Sequence, residues 1–219
     1  MTAPLLVYYG WPSCINGAAD PAAEFDRYTH VVLGAGLEDP GHPDHYPTLQ
    51  IVHDTTARVY GYIDVGMATS HYTIRRIRRS MRRWKQTGAV GVMLDDFGFD
   101  WGVSPRRQRR SVAEAHLLDL EVIANVWEPP ANLAPNVGAD FLLCEGFYID
   151  CGIYDPGWAE RAAGYEGRVM SVATAGLAPF RQDLFNDACR AAERLGHVAF
   201  AWGERDYSAD GRAPWRERP

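Results

Sequence analysis

Short apolar runs recur along the chain at a steady spacing. Each run is rich in Val, Leu, Ile and Tyr, and it lacks the strict alternation of apolar and polar residues that a half-exposed strand shows. Continuous runs of this length are typical of parallel strands whose outer faces are covered by helices. We therefore predict eight strands, over residues 5–10, 30–36, 58–66, 89–95, 121–127, 140–149, 168–174 and 197–203.

Segments with helical periodicity lie between these runs. The clearest is TIRRIRRSMRRWKQTG, which predicts a helix with Thr73 as its N-cap and Gly88 as its stop. Its apolar residues share one face, at Ile74, Ile77, Met81 and Trp84. Residues 106–119 and 181–195 predict two more helices, and weaker signals cover 20–29, 44–56, 130–138 and 158–166.

This alternation of strands and helices predicts a compact (β/α)8 barrel of the TIM type. We assign residues 1–203 to one barrel domain and residues 204–219 to a polar C-terminal tail, so the last helix of the barrel is expected to be missing or reduced. The alternative is a doubly wound open sheet. We favour it less because no GxGxxG or P-loop sequence follows the first strand.

The composition restricts the classes of function. The 219 residues are 47% hydrophobic and 23% charged, with a formal net charge of −6, which indicates a soluble globular protein and argues against a nucleic-acid partner. No apolar run is long enough for a transmembrane helix. The N-terminus lacks the features of a signal peptide, so we expect a cytoplasmic protein, with export by another route left open. The oligomeric state is not determined by the pattern.

Polar and aromatic side chains concentrate where the predicted strands end, which in this type of barrel is the side that carries the chemistry. A rim of acids and amides among aromatic rings suits a carbohydrate, because sugar rings stack on aromatic planes while polar groups bind the hydroxyls. We predict a carbohydrate site formed by Tyr9, Trp11, Tyr62, Asp64, Asp95, Asp96, Asn125, Trp127, Glu145, Tyr148 and Trp202.

Two of the predicted strands end in acids that can act as a pair. Glycoside hydrolysis needs one carboxyl group that donates a proton and another that acts as base or nucleophile, and Asp95 and Glu145 supply both. Side chains alternate along a strand, so only one of Asp95 and Asp96 can face the mouth of the barrel. Strand seven ends in Thr174, which disfavours the barrel glycosidases that place a nucleophile on that strand. Which carboxyl is the acid, and whether the reaction retains or inverts, stays open.

Other chemistries have little support in the sequence. No HxxxH or HExxH pair occurs, and no GxSxG elbow, so we expect neither a metal nor a cofactor. Lys85 is the only lysine and lies on a predicted helix, which argues against a Schiff-base enzyme. The arginine runs RRIRRSMRR and PRRQRR are interpreted as solvated outer faces of barrel helices.

Four stretches, RVYGYIDVG, GAVGVMLDDFGFD, VIANVW and FLLCEGFY, together resemble the barrel domain shared by glycoside hydrolase family 114, the endo-α-1,4-galactosaminidases, and spherulin-type proteins. The resemblance implies that Asp95 and Glu145 are the catalytic carboxylates. It also implies that Tyr62 and Asp64 belong to the substrate pocket, with Asn125 as a further pocket residue. The implied substrate is an α-1,4-linked amino-sugar polymer. The alternative is a non-catalytic carbohydrate-binding or structural barrel that keeps the rim without the reaction.

Overall fold

The computed structural model describes residues 2–155, 157, 162, 164–165, 167–176 and 180–204. Eight parallel strands close into a barrel in the order β1-β10-β9-β6-β5-β4-β3-β2, and β7 pairs with β8 as a separate antiparallel hairpin. The strands are β1 (Ala3–Tyr8), β2 (His30–Leu33), β3 (Arg58–Asp64), β4 (Gly91–Asp95), β5 (Glu121–Asn125), β6 (Phe141–Cys144), β7 (Tyr148–Asp150), β8 (Ile153–Asp155), β9 (Val169–Gly176) and β10 (Ala199–Glu204).

The helices lie on the outside of the barrel between strands. They are α1 (Pro21–Phe25), α2 (His45–Asp54), α3 (Ile74–Thr87), α4 (Pro105–His116), α5 (Pro129–Asn132) and α6 (Gln182–Arg194), with 3-10 turns at Pro12–Gly17 and Phe99–Trp101. The predicted (β/α)8 barrel is confirmed, and the closed sheet excludes the doubly wound alternative. Among the described residues, no helix combines the length and apolarity that crossing a bilayer requires.

Several predicted boundaries are wrong. The sixth run was expected to be one strand over 140–149, but β6 ends at Cys144 and the chain turns at Gly146, which has φ +67°, before it enters β7. The weak helical signals at 20–29 and 130–138 shrink to the single turns of α1 and α5. The predicted helix over 158–166 lies largely outside the described residues. The tail beyond Glu204 lies outside them too, so the reduced last helix and the domain boundary stay predictions.

Alternation along the strands divides the apolar side chains between two cores. One set fills the inside of the barrel: Leu5, Val7, Val32, Tyr60, Met93, Ile123, Leu143, Met170, Val172, Ala199 and Ala201. Their neighbours in sequence face outward and pack under the helices, as Leu6, Val92 and Leu142 do. Because side chains point to opposite faces in turn, the inward set decides which later residue on each strand reaches the mouth of the barrel.

Helix α3 docks on strand β3 through Trp84, which is fully buried. A Cβ atom at Gly61 would lie 2.0 Å from the indole ring, so only glycine at this position lets the ring lie against the strand. The indole Nε1 donates a hydrogen bond of 3.3 Å to the carbonyl of Tyr62. This contact attaches the helix to the strand segment that leads into the rim.

Helices α3 and α4 are joined by a buried acid. The carboxylate of Glu114, whose side chain is 2% exposed, forms ion pairs with Arg78 of α3 and Arg110 of its own helix. Burial by itself raises the pKa of Glu114, but the hydrogen bonds and charges of the two arginines outweigh it and hold the pKa below its ordinary value. The ionised carboxylate therefore stabilises the fold.

We expect Glu114→Gln to lower the free energy of unfolding by about 2 kcal/mol at pH 7, since it breaks a buried pair whose arginines still reach solvent. The lowered pKa means that this stabilisation is present above the pKa of the unfolded state and disappears as the pH falls through the folded value. Urea unfolding of both proteins at a series of pH values measures the difference, which should shrink on acidification.

The matched control is Asp187→Asn, which removes an exposed pair with Arg190 on α6. Its effect should stay below about 0.5 kcal/mol at every pH. A Glu114→Gln difference that is equally small at pH 7, or that grows as the pH falls, contradicts the assignment.

Candidate active site

The residues that face inward at the rim follow the inward core residues along each strand. Asp95, Asn125 and Glu145 each stand two positions after an inward core residue, namely Met93, Ile123 and Leu143. Tyr9 and Tyr62 follow Val7 and Tyr60 in the same way, and both pack against the inner core. Strand alternation thus brings five predicted site residues from five strands over one end of the barrel.

Asn125 joins the two candidate catalytic carboxylates. Its side-chain Nδ2 donates a hydrogen bond of 2.6 Å to Oδ1 of Asp95 and another of 3.0 Å to Oε1 of Glu145. Because both bonds start at one nitrogen, the two oxygens lie within about 6 Å of each other. The structure therefore brings Asp95 and Glu145 together, as the sequence predicted.

Tyr62 holds the other oxygen of Asp95. Its hydroxyl donates a hydrogen bond of 2.6 Å to Oδ2, and its ring packs edge-on against Tyr9 with 5.4 Å between ring centroids. Burial and then the negative charge of Asp95 raise the pKa of Tyr62, so the hydroxyl keeps its proton and remains a donor. Both oxygens of Asp95 therefore accept hydrogen bonds.

The two adjacent aspartates have raised pKa values. Burial is the largest cause of the increase in the pKa of Asp95, and it outweighs the hydrogen bonds from Tyr62 and Asn125, which favour the charged form. Burial and the charge of Asp95 raise the pKa of Asp96 to about 6. Perturbed carboxyl groups in a cleft are typical of catalytic sites.

The loop after β4 is held in a strained but well-supported conformation. Asp96 has φ +50°, in the left-handed region, and the next N–H, that of Phe97, donates to the carbonyl of Asn125 at 3.1 Å. The fully buried Gln108 donates to the carbonyls of Phe97 and Asn132 at 2.8 and 2.9 Å. These bonds tie the loop to the segment after β5.

Gly66 lets the loops after β3 and β4 approach each other. A Cβ atom there would lie 2.8 Å from Cβ of Asp96 and 2.4 Å from Oγ1 of Thr69. Asp64 organises the same loop, because its Oδ1 accepts hydrogen bonds from the Gly66 N–H at 2.8 Å and from the Thr69 hydroxyl at 3.0 Å. The structure thus places Asp64 beside the site as a loop-capping residue, paired in register with Asp95.

A cavity of about 300 Å³ opens over the carboxylate pair. It is lined by Tyr9, Asp95, Asp96, Asp100, Trp101, Asn125, Trp127 and Glu145. Asp100 and Trp101 are not among the predicted site residues, although both lie on the short loop that follows the LDD end of β4. The signal was present, since a strand end followed by FGFDW places acid and aromatic groups on the loop that borders the mouth.

Three predicted contact residues, Trp11, Tyr148 and Trp202, lie away from this cavity, whereas Tyr62 and Asp64 line a neighbouring cavity beside α3. Trp202 is 1% exposed and packs against Phe180 and Phe185, since its neighbour Ala201 faces into the barrel and alternation turns the indole outward under α6. Trp11 is 51% exposed and packs edge-on against His42 instead of lining the cavity.

The third residue, Tyr148, belongs to the β7–β8 hairpin. Its hydroxyl pairs with that of Tyr154 at 3.0 Å, and the chain turned at Gly146 before reaching it. Thr174, at the predicted end of strand seven, binds the same hairpin through the carbonyl of Ile149 at 3.2 Å. The hairpin therefore interrupts the expected rim after Glu145.

Among the described residues, no group of three or more His, Cys, Asp or Glu side chains is arranged to hold a metal ion. What the site does contain is a close pair of carboxyl groups, a shared amide, a tyrosine donor and two indole rings around a concave space. Such a pair can transfer a proton and stabilise a positive centre between its members, which is the chemistry of glycosidic bond cleavage.

No family model matches the sequence, and no curated protein matches it in sequence. Solved structures match in fold. The glycoside hydrolase domain of PelA from Pseudomonas aeruginosa is 16% identical, with 94% of this chain and 96% of that one covered and a TM-score of 0.57. A GH18 chitinase from Pseudoalteromonas aurantia is 9% identical, with 96% of both chains covered and a TM-score of 0.62.

Barrels with other reactions match as well. Oxaloacetate acetylhydrolase is 17% identical, with a TM-score of 0.57, and the match covers 94% of this chain but 77% of that one. At such identities the likeness establishes the fold alone, and the reaction has to be argued from the site. Glycoside hydrolase domains are among the structures to which this (β/α)8 barrel is similar over nearly the whole length of both chains.

Proposed function

We propose that this protein is a glycoside hydrolase that cleaves an amino-sugar polysaccharide with Asp95 and Glu145 as its carboxylate pair. The observation that carries the proposal is the amide of Asn125, which holds one oxygen of each carboxylate by a single nitrogen. The pair faces a cavity that also presents Trp101 and Trp127, as a sugar ring requires.

The spacing of the pair supports a retaining mechanism. Inverting glycosidases keep their carboxyl groups about 6.5–9.5 Å apart to leave room for a water molecule, whereas retaining ones hold them at about 5–5.5 Å. The hydrogen bonds to Nδ2 of Asn125 limit the distance between the bonded oxygens to less than about 6 Å. One carboxylate is therefore close enough to attack the sugar carbon directly.

The hydrogen bonds to Asp95 are the basis for assigning the two roles. Asp95 accepts a bond on each oxygen, from Tyr62 and from Asn125, and these donors favour its ionised form, although burial raises its pKa overall. We assign Asp95 as the nucleophile and Glu145 as the group that protonates the leaving oxygen. In the second step Glu145 removes a proton from water, which releases the sugar from Asp95 and restores both groups.

Several features support an amino sugar as substrate. Four acids, Asp95, Asp96, Asp100 and Glu145, line the cavity and would attract a sugar that carries a free amine. A chitinase is among the structures of similar fold. The resemblance to glycoside hydrolase family 114 adds the finer proposal of an α-1,4 linkage between galactosamine units.

We expect Asp95→Asn and Glu145→Gln each to lower kcat about a thousandfold on the polymer that the wild type cleaves. Reducing-sugar release from a panel of partly deacetylated α-1,4-galactosamine polymers and chitosans measures this. The control is Asp100→Asn, which alters an acid of the same cavity that stands outside the hydrogen-bonded pair and should retain activity within about tenfold. Binding of the polymers without turnover by the wild type would instead support a non-catalytic carbohydrate-binding barrel.

The product should first appear with the anomeric configuration of the substrate, because the spacing leaves no room for a water molecule between nucleophile and sugar. Proton NMR of the anomeric signals during the first minutes of hydrolysis records this before mutarotation. An initially inverted product would exclude Asp95 as the nucleophile.

Tyr62→Phe should move the acidic limb of the kcat/KM profile to higher pH by about one unit. The hydroxyl of Tyr62 stabilises ionised Asp95, so its loss raises the pKa of Asp95 and the nucleophile is protonated at a higher pH. Asp96→Asn is the comparison variant, since it removes a negative neighbour and should shift the same limb downward. A profile that keeps its position in Tyr62→Phe contradicts the assigned role of Asp95.

A further inference from the structure

A second concave surface, which we call the arginine groove, lies beside the site between helices α3 and α4. Its volume is about 950 Å³. Its cationic wall is formed by Arg106, Arg107, Arg109 and Arg110 of α4, and its apolar side includes Met67 and Ile74. The groove is outside the cavity described above, and the proposed hydrolysis makes no use of it.

The charge of the groove is opposite to that of the whole chain. None of the described residues that line it is Asp or Glu, although the protein has a formal net charge of −6. Arg110 forms an ion pair with Glu114 of the same helix, which neutralises its charge. Within the described part of the chain, Arg106 and Arg109 have no carboxylate partner. Two exposed guanidinium groups thus face a concave surface without a counter-ion from any described residue.

Arg107 gives the groove a fixed cation. Its Nε donates to the carbonyl of Val65 at 2.9 Å, and one terminal nitrogen donates to the carbonyl of Tyr72 at 2.5 Å. A guanidinium has five N–H donors, so these two bonds hold the group in place and leave others for a ligand. An arginine fixed in this way loses little further conformational entropy when it binds a carboxylate or a sulfate.

The groove adjoins the carboxylate cavity. Trp101 lines the cavity and the next residue, Gly102, lines the groove, while the N–H of Met67 donates to the carbonyl of Trp101 at 2.9 Å. The two surfaces are therefore separated by one short loop. A polymer bound in the cavity that extends past Trp101 would reach the arginines.

We propose that the arginine groove binds an oxyanion substituent, a carboxylate or a sulfate, of an acidic sugar within the same polysaccharide. The proposal rests on the proposed glycosidase function for its choice of a sugar. It implies a substrate that presents a neutral or cationic amino sugar to the acid-lined cavity and an anionic sugar to the groove. Separation of negative and positive surfaces along one path would select such a mixed polymer and fix its direction.

The test is binding of a desulfated chondroitin hexasaccharide, in which glucuronate alternates with N-acetylgalactosamine, to the full chain by isothermal titration calorimetry. We expect Arg106→Gln combined with Arg109→Gln to raise Kd about tenfold, and raised salt to weaken wild-type binding. A chondroitin sulfate hexasaccharide distinguishes sulfate from carboxylate as the preferred group. A neutral chitin hexasaccharide should bind wild type and double variant equally.

Arg82→Gln is the matched control, since Arg82 is an exposed arginine of α3 outside the groove, and its Kd should stay within about twofold of the wild type. Thermal melts verify that the double variant is folded. Equal hexasaccharide binding by double variant and wild type overturns the proposal. Tighter, arginine-dependent binding of inorganic polyphosphate or single-stranded DNA also overturns it, in favour of a general phosphate site.

The proposal for the arginine groove and the proposal of a hydrolase can be overturned independently of each other. The loss of hexasaccharide affinity caused by the two arginine substitutions should be the same, within about twofold, in an Asp95→Asn background, because Asp95 lies outside the groove lining. Arginine-dependent binding by a wild type that cleaves no substrate would overturn the hydrolase and support the groove. Cleavage of neutral amino-sugar polymers with no arginine-dependent binding would support the hydrolase and overturn the proposal for the groove.

Discussion

A single amide nitrogen, Nδ2 of Asn125, holds the two carboxylates of the rim together. Two partly buried carboxylates that lie this close repel each other, and burial makes the charge of Asp95 more costly. Donors from Asn125 and Tyr62 offset part of that cost for Asp95, although burial still raises its pKa. Donors on neighbouring strands thus hold the two carboxylates close to each other despite their repulsion. The rest of the barrel keeps those strands in register.

That register comes from packing inside and outside the wall. The inward core residues determine which side chain reaches the mouth, and the outer layer holds the strands against the helices, as Trp84 does over Gly61. Buried Gln108 then holds the loops above the wall, because it bonds to the loop after β4 at Phe97 and to the segment after β5 at Asn132 and Ala134. The positive φ of Asp96 is tolerated because these contacts determine the loop on both sides.

The distribution of charge divides the molecule into two chemical surfaces. Acids gather over the mouth of the barrel, while arginines occupy the solvent faces of α3 and α4. Part of the arginine charge is structural, as the clamp on Glu114 shows. Arg106 and Arg109 have no carboxylate partner among the described residues and lie one loop away from the acids, which makes the boundary at Trp101 and Gly102 a natural place for a ligand with charges of both signs.

The sequence by itself determined the class of fold and the candidate pair. Apolar runs, helical stripes and strand-end residues are local patterns, and in a parallel barrel the residues at the ends of the strands lie together at the mouth. It placed Asp95, Asn125 and Glu145 at strand ends, and the structure brings them together. Only the tertiary structure decided that Trp202 faces α6, that the chain turns at Gly146, and that Trp101 joins the cavity. Those outcomes depend on which face of a strand is inward and on how loops from different strands meet, and both are set by contacts between residues far apart in the chain.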